Sequence, residues 1–596
     1  MNTINMKTRS QEDKKTRHYW SARAVVLYSC ILVFSSSILF TSCANDFLDQ
    51  ENTYQISQGT FFSSDDAVSQ EIYPLYSYVW YMYNDKFYYG MGDGRANNIT
   101  AQYSNYIYPY TNFTETGVSV GLTDAWRSFH VVVAQSNNAI NNINNFSTSS
   151  VSETAKRQGI AEARFMRGLA YWYIASLWGC AIIYDNTGEM VNNYVVNPNR
   201  QTDVMEFAIR DMEYAAVNLP SASPGTGRVN KYAAYAMLSR LYLSMAGLTT
   251  SGRYDGSNIA SDFNRGSRND YYLDAARKAA AKCIQNGPYR LADTYAELFA
   301  AATFNNNSES IFQLQWQAGA SNGLAQSMTR FLAWSTQVNQ GNSWGGSTYC
   351  SYDLWEEFKE YKDANLGGQT IDDAIRRHNS VASYGESYPE LSTDPEKPYV
   401  YGESESAGSQ GANIKKYVIG TNAVNGFSVN NNSGVNTYMM RLAEVYLNYA
   451  EAALGNSAST SDATALAYFN ALRSRAGVPA KSSISYEDIR HEFRVETAFE
   501  GIYWYFLVRR GYYQQQEVVN YVNNQYRNAS YFDSSTHEYV LSSSYSAPGP
   551  SVATATAASL TLPMPDTDQT KNPLLNASNA VNYEFGDREV SDSDLF

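Results

Sequence analysis

The chain is 596 residues long and carries 58 Asp and Glu against 44 Lys and Arg, a formal net charge of −14 at pH 7. Without residues 1–42, which hold six Lys and Arg and two Asp and Glu, the balance is 38 against 56, or −18; a nucleic-acid backbone and an anionic lipid face are thereby disfavoured as partners. The length suits one large core or several domains of roughly 150 residues each, and the 50 Tyr, 25 Phe and 10 Trp supply rings both for a core and for flat ligand platforms.

Lys14, Lys15, Arg17 and Arg23 precede a 17-residue apolar run from Ala24 to Phe40, and Thr41 and Ser42 place small residues before Cys43. This is the pattern of a cleaved signal, too short for a spanning helix of about 20 apolar residues. The junction resembles a bacterial lipoprotein box, which implies that Cys43 opens the mature chain and carries the acyl groups. Buried acyl carbons contribute about 0.8 kcal/mol per CH₂, so more than one chain anchors firmly. Asn45, Asp46, Asp49, Gln50, Glu51 and Asn52 then suit a solvated tether. Cys180, Cys283 and Cys350 are far apart and show no CxxC or Cys/His metal spacing, so they read as small buried hydrophobes.

Helical segments dominate the remainder of the chain. Residues 124–146 are succeeded by 153–178, where Ile160, Ala163, Met166, Ala170, Tyr173 and Leu177 recur at steps of three or four and form one buried stripe. Similar spacing predicts helices over 231–247, 274–287, 439–454, 465–477 and 488–511, with Gly287, Gly455, Gly477 and Gly511 as stops. In the last of these, Val495, Phe499, Ile502 and Phe506 share one face. Paired helices with alanines and large rings at the contacts suggest tetratricopeptide-like stacking over about 124–301 and 437–511. Trp172, Trp178 and Trp504 lie within these helices and are expected in the core.

Two long regions, 79–123 and about 302–436, lack this period and are rich in Gly, Asn, Ser, Tyr and Trp, with a strand-like piece at 310–317. Loops this long in a compact domain are usually functional. The dense tyrosine cluster at 76–89 could be core or platform: it exceeds what one helix face can bury, yet part of it must be packed. Residues 512–596, with Pro563, Pro565 and Pro573, read as an extended segment laid over the body.

Motifs for catalysis are weak. Glu356-Glu357 and Asp372-Asp373 are adjacent acids, but a glycosidase needs two carboxyl groups about 5–10 Å apart in space, and 353–363 reads as the solvated face of an amphipathic helix. His18, His130, His378, His491 and His537 form no metal spacing, and neither a phosphate-binding GxxxxGK[ST] loop nor a calcium-binding DxDxDG run occurs.

Taken in order, CANDFLDQ (43–50), AWRSFHVVVAQSNNAINNI (125–143), AEARFMRGLAYWYIASLWG (161–179), YAAYAMLSRLYLSMAG (232–247), YMMRLAEVYLNYAEAAL (438–454), FNALRSRAGVP (469–479), EFRVETAFEG (492–501) and LPMP (562–565) make the chain resemble a SusD/RagB-type outer-membrane nutrient-binding lipoprotein. The resemblance implies a mainly α-helical, tetratricopeptide-like scaffold after a signal over 1–42, a loop-rich ligand side, and no catalysis. It further implies a lipid anchor at Cys43 on the outer membrane, a glycan cargo, and a TonB-dependent SusC-like transporter as partner. No cofactor is implied, and calcium has no motif to support it. The corresponding site segments, 90–103 and 332–355, nominate Asp93, Arg95 and Asn97 as polar contacts and Trp334, Trp344 and Tyr349 as platforms. Trp344 lies between Asn342-Ser343 and Gly345-Gly346, a setting that favours exposure. Alternatives are a RagB-like peptide importer and, behind it, a polysaccharide-degrading enzyme on the same scaffold.

Overall fold

A computed structural model describes residues 61–101, 104–186, 188, 193–321, 323–339, 343–344, 348–363, 367–392, 396–402, 411–420, 428–429, 432–541 and 553–596. The chain divides into two units, Met1–Phe61 and Phe62–Phe596. The expected signal and Cys43 lie outside the described residues. Among the described residues no helix is long and apolar enough to cross a membrane.

The helical layer of the second unit is built from α1 (Val120–Phe146), α2 (Glu153–Trp178), α3 (Gln201–Asn218), α4 (Lys231–Leu248), α5 (Asp270–Asn286), α6 (Leu442–Leu454), α7 (Ala463–Arg475), α8 (Tyr486–Thr497) and α9 (Tyr503–Gly511). From α1 to α7 each helix packs on its predecessor, the stacking of a helical repeat. Starts are set by side chains that take orphan N–H groups: Ser152 accepts from Ala155, Asn230 from Tyr232 and Ala233, Asn269 from Tyr271, and Asp462 from Ala465. Ser485 and Asp488 form a reciprocal capping box for α8. Helix α4 is buried at every position from Ala233 to Leu248, so its near-continuous apolar run needs no polar face. Trp172, Trp178 and Trp504 are in the core as expected.

Charges inside this layer are paired. Arg167 on α2 grips Asp211 on α3 with two bonds of 2.7 and 2.8 Å, and Arg240 on α4 grips Glu444 on α6 at 2.6 and 2.7 Å. Such forked pairs are the geometry in which a guanidinium tolerates burial. The three cysteines are buried and free, and burial pushes the Cys180 thiol up to about 11.

The other side carries short strands. β1 (Ile99–Ala101), β2 (Ser310–Leu314), β3 (Thr348–Cys350), β4 (Val381–Ala382), β5 (Asn413–Ile414) and β6 (Thr437–Arg441) make two antiparallel groupings. One is a four-stranded sheet in the order β1-β3-β5-β4, with Ile99 opposite Cys350 and Tyr349 opposite Asn413. The other pairs β2 with β6, Leu314 opposite Thr437. Residues 439–441, expected to begin a helix, therefore lie in a strand, because their backbone groups are taken by β2.

Three further departures have local causes. Residues 79–123 are not a bare loop: they hold helical turns at Tyr81–Lys86, Gly90–Gly94 and Tyr108–Asn112. The C-terminal region is only partly extended, since it contains a helix at Gln515–Asn523 and a hairpin of Ser530–Asp533 with Glu538–Leu541. The helix expected over 488–511 is broken between α8 and α9, where Phe499 and Gly501 take φ of +63° and +67°.

Candidate functional site

Asp93, Arg95 and Asn97 are wholly buried, so the structure gives their side chains structural tasks in place of the expected ligand contacts. The Asp93 carboxylate accepts from the Phe499 N–H at 2.9 Å, the Gly501 N–H at 2.8 Å and the Asn98 amide at 2.9 Å. It thereby holds the break between α8 and α9. Burial pushes its pKa up to about 6 against the pull of these three donors. The approach is close: a Cβ on Gly92 would stand 2.2–2.3 Å from Gly501 backbone atoms. Arg95 pairs with Glu115 and the Ser559 carbonyl, its guanidinium 4.6 Å from the Phe113 ring centre and 4.8 Å from that of Trp504. Asn97, at φ +62°, donates to the Tyr526 carbonyl at 3.0 Å, while its own carbonyl accepts from Ser351 and Arg494.

A prediction separates the two roles. Asp93→Ala strands two buried N–H groups and should cost about 2–5 kcal/mol of stability in urea unfolding, with ligand affinity in the folded protein unchanged. A variant of normal stability that fails to bind would restore Asp93 to the ligand.

The three nominated rings also divide. Trp334 is buried, its Nε1–H donating to the Tyr399 hydroxyl at 2.7 Å, and Tyr349 is buried in β3 with its ring against Gly411. Neither has a face for a ligand. Trp344 does: it is 49% exposed. Its backbone N–H donates to the Arg330 carbonyl at 3.2 Å, and the Arg330 guanidinium lies 4.9 Å from its ring centre, so one face is backed by a cation while the residue remains half in solvent.

Trp344 has a ring neighbour. Phe331, half-buried, meets it edge to face at 6.3 Å. Asp85 lies in the same hollow as Phe331 and Tyr106, and it accepts from the Ser327 N–H at 2.9 Å and hydroxyl at 2.6 Å. Four residues before Asp85 on the same helical turn, Tyr81 packs edge-on against Trp316 at 6.4 Å; burial first, then the Asp85 charge, pushes its hydroxyl up to about 12. Gly323 fits against both Tyr81 and Tyr78, and Tyr78 is 55% exposed. Two pairs of rings thus stand on either side of Asp85 and Ser327, Phe331 with Trp344 and Tyr81 with Tyr78, and together they are called the ledge below. The tyrosine cluster thus splits: Tyr76, Trp80, Tyr83, Tyr88 and Tyr89 are core, while Tyr78 and Tyr81 belong to the ledge. Arg330, Phe331, Tyr78 and Tyr81 were not nominated from the sequence, although ring density at 76–89 marked the segment.

Two of the adjacent acids are tied to arginines inside the fold. Glu357 points inward, contrary to the expectation of a solvated face over 353–363, and Asp373 is buried as well. Burial would raise the Glu357 carboxyl, but Arg490 and Arg494 outweigh it and hold it well below the usual carboxylate range. Asp373 caps the helix Ala374–Ser380 and binds Arg376 at 2.6 Å. Among the described residues no three His, Cys, Asp or Glu side chains gather as metal ligands do.

Comparison with known proteins places the chain in a group. Residues 308–583 match the model described as "SusD family", and residues 46–243 match one described as "Starch-binding associating with outer membrane". A SusD-like protein of Bacteroides ovatus is 34% identical over 500 residues, covering 83% of this chain and 85% of its own. A crystal structure determined with a xylogluco-oligosaccharide is 32% identical, with a TM-score of 0.76 over 87% of this chain and the whole of that one. A SusD-like carbohydrate-binding protein of Bacteroides fragilis, at 20% identity and a TM-score of 0.64, shares the fold.

Proposed function

We propose that this chain, which belongs to the SusD family, binds an oligosaccharide along the ledge from Tyr78 to Trp344 and hands it unaltered to a membrane transporter. The observation that carries the reading is the half-exposed Trp344 ring, backed by Arg330 and met by Phe331. Sugar rings present flat C–H faces that stack on aromatic planes, while their hydroxyl pairs suit a guanidinium fork. The related structure with a xylogluco-oligosaccharide supports a β-glucan-like cargo. Binding in place of catalysis fits carboxylates that are neutralised inside the fold.

Cys43 is the proposed site of lipidation, which would hold the body at the outer surface of the outer membrane beside a TonB-dependent SusC-like transporter. That confinement raises the effective concentration, so modest affinity suffices. Calorimetric titration of the chain with xylogluco-oligosaccharides, other glycans and mixed peptides tests the cargo class. Saturable heat with a glycan and none with peptides is expected; peptide binding alone, or release of reducing ends from any glycan, overturns the reading.

A further inference from the structure

A second place in the unit has the make-up of a binding site and shares no residue with the ledge. Where α1 meets the segment around Ile182 and Tyr184 and the short helix Asp566–Lys571, a cavity of about 730 Å³ opens. Small-molecule sites typically span about 300–1,000 Å³.

Its chemistry follows from a few groups. Trp126 stands edge-on against Trp178 at 5.0 Å, and the His130 ring lies on Trp126 with 4.3 Å between centres. His130 Nδ1 is 2.9 Å from the Trp126 carbonyl. A carbonyl only accepts, so Nδ1 carries the proton and Nε2 of the neutral ring is an acceptor. Burial lowers the His130 pKa, which keeps the ring neutral at pH 7. Around the same opening stand the Asp568 carboxylate, a second acceptor, and the donors Lys571 and Arg127, neither of which has a carboxylate partner among the described residues. Tyr194, 55% exposed, adds a ring at the rim.

Each simple ligand class fails on one of these groups. An anion satisfies Lys571 and Arg127 but meets Asp568 and the lone pair of His130. An apolar ring covers the aromatic wall but makes no use of His130 Nε2, Asp568, Lys571 or Arg127 around it. A ring that donates and accepts at several points around an apolar face meets all of them. We propose that this cavity is a second carbohydrate site, sized for one or two sugar units and independent of the ledge. In a surface-bound collector such a site would hold short products while the ledge engages the longer chain.

The test uses the Trp344→Ala chain, in which the ledge is disabled, and follows the His130 imidazole resonances, assigned with His130→Gln, while glucose, xylose, cellobiose or lactose is added. One of these sugars should shift the His130 signals saturably with a millimolar dissociation constant, and Tyr194→Ala with Lys571→Ala should weaken that binding at least tenfold. Both substituted side chains are exposed, so the melting temperature should hold. The proposal falls if none of the sugars moves His130, if the double variant binds as well, or if benzoate binds at least as tightly as the best sugar. Failure of the ledge would instead appear as unchanged oligosaccharide affinity on Trp344→Ala, a separate readout.

Discussion

Trp344→Ala is expected to lower oligosaccharide affinity by about 10- to 50-fold while leaving the fold intact. Truncating an aromatic residue that acts as a binding hot spot costs about 2 kcal/mol or more, and 1.4 kcal/mol is tenfold in affinity. The ring is 49% exposed, so its removal leaves little buried volume empty, and its backbone bond to Arg330 survives the substitution. The melting temperature should therefore shift by no more than about 2 °C. Trp344→Phe keeps a smaller plane and should recover most of the loss, whereas Arg330→Ala removes the backing cation and the fork and should cost less than the ring itself. Calorimetry with a xylogluco-oligosaccharide reads all three variants, and an affinity for Trp344→Ala within twofold of the parent chain would remove the ledge as the binding surface.

That Trp344 is exposed was legible, because Asn, Ser and Gly on either side cannot bury it. The repeat layer was legible for a similar reason: a stripe such as Ile160, Ala163, Met166 and Ala170 implies a helix wherever the chain goes next. Helix α3 escaped that reading, although Val204, Ala208, Met212 and Ala215 carry the same signal.

What could not be read was imposed from far away in sequence. Phe499 continues an apolar face, yet it sits at a left-handed turn because Asp93, more than 400 residues earlier, binds its N–H. The same contact hides Asp93 from any ligand. Polar residues in a Gly-rich segment look available until the partners are known, and Asp93, Arg95 and Asn97 found theirs at Phe499, Ser559 and Tyr526. Tyr78 and Tyr81 pose the reverse case: nothing in a run of rings tells which one the fold leaves outside.

The largest stability effect is expected at Arg441, the last residue of β6. Its guanidinium reaches Glu309, Glu496 and Glu500, each at 2.7 Å, and donates to the Glu496 carbonyl at 2.6 Å. The network runs on through Arg475 to Glu309 and Glu496, through Arg376 to Glu492 and Glu496, and through Lys416 to Glu500. It joins the strand side to α8 and to the turn that Asp93 holds. Removing one partner of a buried set leaves uncompensated charge, at a cost of about 3–5 kcal/mol, so Arg441→Met should lower the unfolding free energy in urea by about that amount at pH 7.

The pH dependence has a fixed sign. Burial would raise Glu496 and Glu500, but Arg475, Arg441 and Arg376 around the first, and Arg441 and Lys416 around the second, hold both below their ordinary values. Carboxyls depressed in the folded state contribute stability that is complete above the unfolded value of about 4.3 and drains away as pH falls through the folded one. Without Arg441 the carboxyls rise toward that unfolded value, so the variant has less of this stability to lose in acid. The gap between parent and variant should be widest near pH 7 and should narrow as pH falls below about 4.3, where the unfolded chains take up protons while the parent's buried carboxylates stay ionised. A gap below about 1 kcal/mol at pH 7, or one that stays constant from pH 7 to pH 3, would mean that Glu309, Glu496 and Glu500 are balanced without Arg441.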